Sequence, residues 1–157
     1  MVANKSHRSG PGFGDLRRRA RRLALQAMYQ WQVAKPSVIQ VETEFLTDND
    51  ADRFDKVFFR ELFKGATSQV AELDDCLLPY LDRCIEELDP IELALLRIGC
   101  FELRDRPDVP YKVVINENIE LAKKFGGTDG YKYINGVLDK LAVKFRKVEL
   151  ANGRNSV

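Results

Sequence analysis

Residues 15–32, DLRRRARRLALQAMYQWQ, repeat apolar side chains at the spacing of an amphipathic α-helix. At about 100° per residue, one side of this helix carries Leu16, Ala20, Leu23, Ala24, Ala27 and Trp31. An apolar stripe of this kind is stable only when other elements pack on it. We therefore expect the rest of the chain to be organised around this helix.

The opposite side of the same helix carries Arg18 and Arg22, with Tyr29 one or two turns further along. Guanidinium groups pair with phosphates, and an exposed aromatic ring can stack on an unpaired base. The pattern therefore favours a surface that binds a single nucleic-acid strand. The alternative is an ordinary solvated helix face, which is the usual reason for an isolated run of arginines.

The distribution of charge favours the binding interpretation. The chain has 157 residues and a net charge of only +1, which alone predicts no nucleic-acid binding. Residues 1–22, however, contain seven basic residues and one acidic residue, while the remainder contains 18 basic and 23 acidic residues. A basic end on an acidic body can attract phosphate at one surface and a basic protein at another.

Helical spacing continues along the chain and no alternating strand pattern interrupts it, so the sequence predicts one all-α domain. We expect a disordered basic arm over residues 1–14, a helical domain over 15–146 and a flexible tail over 147–157. Further helices are expected at about 51–64, 66–78, 79–88, 91–104, 111–125 and 129–146. The 91–104 helix is apolar nearly all round, which predicts the central core element. Gly65 is expected near a helix end, and Gly136 at a close helix contact.

Several kinds of site are not expected. The only histidine is His7, and Cys76, Cys84 and Cys100 form no CxxC pair, so we expect reduced thiols, no metal, no cofactor and no enzymatic activity. No apolar run has the length of a membrane span, and the N-terminus lacks the apolar core of a signal peptide. A cytoplasmic protein is expected.

Three segments together resemble a known family. RRRARRLALQAMYQW, DPIELALLRIGCFEL and DVPYKVVINENIELAKKFGGTDGYKYINGVLDKL are similar, in this order, to segments of the NusB family of transcription antitermination factors. The resemblance covers roughly residues 15–146. It implies about seven helices in two perpendicular sub-bundles. It also implies binding to the boxA element of ribosomal RNA leader transcripts together with ribosomal protein NusE, within the RNA polymerase antitermination complex.

The resemblance also assigns candidate binding residues. Those for RNA are Arg17, Arg18, Arg19, Arg21, Arg22, Tyr29, Asp129, Lys132 and Tyr133. Glu92, at the start of the central helix, is the candidate for contact with NusE. Asn118 departs from the family's usual alanine, and the loop GGTDGYKY has an extra glycine at position 130, which leaves local packing and the loop's RNA contacts open.

The residues of that loop support RNA contact independently of the resemblance. A carboxylate such as Asp129 can accept a hydrogen bond from a base amino group, Lys132 can neutralise a phosphate, and Tyr133 can stack on a base. The alternative is a helix cap followed by ordinary surface residues.

Two other functions compete with an RNA-binding adaptor. A homodimer built on the first helix would hide the arginines. A NusB-like domain also precedes the catalytic half of some ribosomal RNA cytosine methyltransferases, but we expect no room for a cofactor-binding domain in this chain.

Overall fold

The computed structural model describes residues 12–155, in which the chain forms eight α-helices. They are α1 (Phe13–Ala34), α2 (Val38–Asp48), α3 (Lys56–Ser68), α4 (Val70–Leu77), α5 (Pro90–Asp105), α6 (Tyr111–Phe125), α7 (Gly130–Phe145) and α8 (Lys147–Asn155). Short 3₁₀ turns occur at Ala51–Arg53, Leu78–Tyr80 and Ile85–Glu87. No strand occurs between residues 12 and 155, so the all-α prediction is confirmed. The helix count is slightly higher than the seven that were expected.

Helix α5 is the central element, as its apolar sequence predicts. It packs against α1, α3, α4, α6 and α7, and every residue from 93 to 103 is buried. Its start follows the predicted signal, because Asp89 Oδ1 accepts hydrogen bonds from the backbone N–H groups of Ile91 (2.8 Å) and Glu92 (3.2 Å). Pro90 occupies the first turn, where no intrahelical donor is needed.

The other helices group on the two sides of α5. On one side α1, α2 and α3 pack together around the Phe59 ring, whose centroid lies 5.9–6.1 Å from those of Phe45, Phe54 and Phe63. On the other side α6 and α7 pack on each other and on α5. Helix α1 therefore has one side in the core and one side along the edge of α6.

Arg146 joins the end of α5 to the C-terminal helix. Its buried guanidinium donates to the backbone carbonyls of Glu102, Leu103, Arg106 and Val109 at 2.8–3.1 Å. These bonds satisfy carbonyls that a helix end leaves without partners. Nη1 also lies 2.6 Å from Glu149 Oε1, in α8. Residues 147–155, where the sequence predicts a flexible tail, are accordingly helical.

Two predictions about glycines are wrong. Gly65 does not end a helix but lies inside α3, where a Cβ would come within 2.3 Å of the Phe101 ring. Gly136 makes no close contact, because a Cβ there would have nothing within 4 Å. A close contact between helices instead occurs at Gly99 in α5, where a Cβ would lie 2.9 Å from Leu138 of α7. Periodicity alone does not show which side of a helix a neighbour meets.

Some predicted boundaries are also wrong. Helix α1 already begins at Phe13, whereas the predicted arm extends to residue 14, and residues 1–11 of that arm lie outside the described residues. Helix α3 begins at 56 rather than 51, because the Asp55 side chain caps it by accepting from the backbone N–H of Phe58 at 2.9 Å. The 79–88 helix is replaced by two 3₁₀ turns separated by extended backbone at Leu81.

Candidate nucleic-acid interface

The outward side of α1 carries the three predicted residues. Arg18 has 63% of its side chain exposed, Tyr29 is 40% exposed, and Arg22 between them is half-buried. The spacing of four and seven residues places all three on one side of the helix. The predicted orientation of this side is confirmed, whereas its contact with RNA stays a prediction.

An open groove of about 550 Å³ runs between α1 and α6 beside this side. Its lining comprises Asp15, Arg18, Arg19 and Arg22 from α1, and Glu117, Glu120, Leu121, Lys123 and Lys124 from α6. Lys123 and Lys124 belong to the last turn of α6 and were not predicted as site residues. Basic residues in a last turn also complement the helix dipole, so their sequence position gave no specific signal for binding.

Arg18 is already paired inside the groove. Its Nε and Nη2 donate to the two carboxylate oxygens of Glu117 at 3.1 and 3.4 Å, and its Nη1 donates to Asp15 Oδ1 at 3.3 Å. The hydrogen bonding of Arg18 to the Glu117 carboxylate is the main reason that the pKa of Arg18 lies above its usual value. A phosphate that binds Arg18 must therefore compete with two carboxylates, and an exposed pair of this kind is weak enough to exchange.

Arg21 does not belong to the RNA-binding set. Its side chain is buried, and its Nε and Nη2 donate to Glu102 Oε1 (3.0 Å) and Oε2 (2.8 Å) in α5. This guanidinium is inaccessible to phosphate, so the prediction for Arg21 is wrong. The pair gives the buried Glu102 carboxylate the oppositely charged partner that a buried charge requires.

Arg17 turns toward the same side of α1 as Arg21. Its guanidinium carbon lies 4.6 Å from the ring centroid of Phe13 and 4.3 Å from that of Phe58, with Nε 3.6 Å from Asp55 Oδ2. Stacking between two rings gives this guanidinium a structural use. Its predicted role in RNA binding has less support than that of Arg18 or Arg22.

The predicted loop residues lie at the start of α7. Asp129 precedes the first turn but makes no side-chain capping bond, and Lys132 Nζ lies 3.4 Å from Asp129 Oδ1. Both side chains are well exposed. They are accessible to a ligand, and their predicted contact with RNA remains a prediction.

Tyr133 is half-buried and therefore less accessible than Asp129 and Lys132. Its hydroxyl accepts a hydrogen bond from the backbone N–H of Asp82 at 3.3 Å, and the Arg83 guanidinium carbon lies 4.8 Å from its ring centroid. Burial raises the pKa of this hydroxyl above its usual value. Tyr131, which was not predicted, is half-buried and has Lys123 Nζ at 5.1 Å from its ring centroid. One face of each ring is therefore next to a cation.

Glu92 connects the loop with the start of α5. It is half-buried against α7, and a Cβ at Gly130 would lie 3.0 Å from Glu92 Oε2, so the extra glycine leaves room for this carboxylate. Burial is the main reason that the pKa of Glu92 is raised, followed by the charge of Asp89. Gln32 Nε2, in the last turn of α1, donates to Pro90 O at 2.9 Å. The C-terminal end of α1 and the start of α7 thus both border the start of α5.

Other residues that could hold a metal ion or form disulfides also lie in the described part of the chain. Within residues 12–155 no group of three or more His, Cys, Asp or Glu side chains is placed to hold a metal ion. Cys76, Cys84 and Cys100 are free thiols, and burial raises the pKa of Cys100 to about 12. No helix in this part of the chain is both long and apolar enough to cross a membrane.

The fold and the site define a small all-α protein with an open groove that five basic and three acidic side chains line. The chain belongs to the NusB family, whose family model matches residues 18–143. A relative called transcription antitermination protein NusB, from Hahella chejuensis, is 54% identical over 141 residues, which are 90% of this chain and 95% of the relative.

Solved structures agree with this assignment. A structure of T. maritima NusB aligns with a TM-score of 0.72 and 27% identity, covering 80% of this chain and 89% of that one. A crystal structure of the antitermination factors NusB and NusE in complex with dsRNA aligns with a TM-score of 0.73 and 22% identity, covering 82% and 96%. At that identity, the second likeness shows the fold alone.

Proposed function

We propose that this chain is a non-catalytic RNA-binding transcription antitermination factor. It binds the boxA element of leader RNA together with ribosomal protein NusE and supports ribosomal RNA transcription. The observation that carries this proposal is the groove between α1 and α6, where three arginines and two lysines line one open surface. The names of its relatives, and the solved complex of NusB with NusE and dsRNA, support the same function.

The groove suits a nucleic-acid backbone because its cations lie on two helices that face each other. The Arg22 side chain makes no ion pair or hydrogen bond with another residue between 12 and 155, so its guanidinium can bind phosphate without first breaking an internal contact. Lys123 and Lys124 supply charge from the opposite wall. Tyr29 lies further along the same side of α1 and offers its ring to an unstacked base.

The loop before α7 provides the second contact in this proposal. Lys132 binds a phosphate, Asp129 accepts from a base amino group, and Tyr133 presents the ring face away from Arg83. Glu92, beside this loop, is the proposed contact for NusE. The complete assembly is the antitermination complex with RNA polymerase, and the compartment is the cytoplasm.

A titration of fluorescent RNA tests the proposal. We expect the protein to bind a boxA-containing leader RNA more tightly than a scrambled RNA of the same length, and more tightly still when NusE is present. Single-stranded and duplex forms of both RNAs should be compared, since the solved complex contains dsRNA whereas an exposed tyrosine favours an unpaired base. Equal affinity for all four RNAs across salt concentrations would refute specific recognition.

Substitutions at two positions, Arg22 and Tyr29, locate the contact with RNA. Arg22→Gln should lower the salt dependence, the slope of log K against log[salt], by roughly 0.7 per lost phosphate contact on a single strand. Tyr29→Ala should cost about 1–3 kcal/mol if the ring stacks, while Tyr29→Phe should retain binding. Lys140→Gln, which removes an exposed charge outside the groove, is the matched control for the loss of charge.

Self-association through α1 is the competing use of the same surface. Sedimentation of the protein with and without saturating RNA distinguishes self-association through α1 from RNA binding at the same surface. A dimer that persists unchanged at saturation would show that the arginine side of α1 is not the dimer interface.

A further inference from the structure

A second groove lies on the other flank of α1, and the proposed function does not use it. It has a volume of about 340 Å³ and lies between α1 and the α2–α3 connection. Its lining comprises Arg19, Arg22, Leu23, Asn49, Asp50, Arg53 and Phe54. Arg19 and Arg22 line both grooves, so the two surfaces meet across α1.

The α2–α3 connection is held in place by backbone hydrogen bonds. The N–H of Arg53 donates to Asp50 O at 3.0 Å, which closes the 3₁₀ turn, and the N–H of Asp55 donates to Leu16 O at 3.1 Å. Arg19 Nη1 donates to Arg53 O at 3.1 Å. Two of these bonds hold the backbone of Arg53 itself, and the third anchors Asp55 to α1. None of them uses the Arg53 guanidinium.

The charges in this groove are poorly balanced. The guanidinium groups of Arg22 and Arg53 form no ion pair or hydrogen bond with any residue from 12 to 155. Asp50 is the acidic residue in the lining, and its carboxylate forms no ion pair with the described chain. Guanidinium groups elsewhere, such as those of Arg60 and Arg97, do have carboxylate partners. Unpaired like charges that line one groove lower their energy by binding an anion.

The geometry points to Arg53 as a further phosphate-binding residue, with the RNA backbone crossing α1 from the α6 side to the α2–α3 connection. This inference rests on the proposed function, because the ligand is the same RNA. A strand that only followed the α1–α6 groove would leave Arg53 unused. A strand that crosses at Arg22 can reach Arg53 with its next phosphates, since both residues line the second groove.

Arg53→Gln tests this path, with binding of the boxA-containing leader RNA measured as a function of salt concentration. Loss of one phosphate contact should reduce the salt slope by roughly 0.7, which corresponds to about fivefold weaker binding at 0.1 M salt if the affinity extrapolated to 1 M is unchanged. Arg53→Lys should retain the slope because it keeps the charge. Lys140→Gln controls for the change in net charge, and a thermal melt checks that each variant is folded.

Four outcomes decide the inference. A reduced slope for Arg53→Gln alone supports it. An unchanged slope for Arg53→Gln, with wild-type protein binding normally, overturns it and leaves the proposed function intact. Equal losses for Arg53→Gln and Lys140→Gln also overturn it, because the effect would then come from net charge. Failure of the wild-type protein to bind any RNA would overturn the proposed function and this inference together.

Discussion

The buried pair between Arg21 and Glu102 makes the sharpest prediction, because the arginine belongs to the motif proposed to bind RNA. Arg21 is 3% exposed and Glu102 is 0% exposed, and two hydrogen bonds of 3.0 and 2.8 Å join them. Removing one partner leaves the other charge buried and uncompensated, which typically costs about 3–5 kcal/mol. Since small domains are stable by only about 5–15 kcal/mol, Arg21→Met should be severely destabilised.

Replacing both partners should cost much less. Methionine has a volume similar to that of either side chain, and the double variant Arg21→Met with Glu102→Met buries no unpaired charge. We expect it to be more stable than either single variant and close to the wild-type protein. Urea unfolding followed by circular dichroism gives the four free energies of this double-mutant cycle, provided that the denaturant slope m is unchanged.

The same variants separate a structural role from RNA contact. The folded double variant should bind leader RNA with the wild-type salt slope, because Arg21 does not reach the surface. The reasoning would be refuted by an Arg21→Met protein whose unfolding free energy changes by less than about 1 kcal/mol, well below the cost of a broken buried pair, while its salt slope falls by roughly 0.7.

Three further predictions concern stability. Gly65→Ala should destabilise by about 1–3 kcal/mol in urea unfolding, because its Cβ would overlap the Phe101 ring, and an unchanged midpoint would contradict the packing. Asn118→Ala should change the unfolding free energy by less than about 1 kcal/mol. The substitution loses the hydrogen bond to Val114 O, but it also removes a buried side-chain oxygen that has no partner. A cost above about 2 kcal/mol would contradict this. Arg106 lowers the pKa of Asp108 to about 2, so the stability this pair adds is present above the unfolded pKa of about 3.9 and is lost as the pH falls toward 2. Asp108→Asn should reduce this loss of stability at low pH, by under about 1 kcal/mol because the Asp108 side chain is 55% exposed. Thermal melts at graded pH measure this, and an unchanged pH dependence would contradict the prediction.

Much of the fold could be predicted from helical periodicity. The regular apolar spacing in α5, α6 and α7 predicts the bounds of these helices to within a few residues. The capping signal at Asp89 and Pro90 predicts the start of α5. Periodicity did not predict the helix boundaries where a side-chain hydrogen bond or a short turn determines the backbone conformation. The cap from Asp55 to Phe58 moves the start of α3, and a local bond from the N–H of Cys84 to Glu87 helps to form a 3₁₀ turn where an α-helix was expected.

Helix geometry explains why some arginines of this run are buried and others are exposed. Consecutive residues turn by about 100°, so five arginines within six positions cannot all face the solvent when the helix has a core on one side. Arg21 precedes Ala24, Leu25 and Met28 by three, four and seven residues, which is the spacing of the buried side, and that signal was available in the sequence.

Identifying the partner of Arg21 required the fold, because Glu102 is 81 residues away in the chain. For the same reason, the sequence could not show that Lys123 and Lys124 join the groove or that Arg53 comes to lie beside Arg22. The number of arginines in the motif is therefore a poor measure of its phosphate contacts. Some of its charges hold α1 against α5, and cations from distant segments complete the surface that α1 begins.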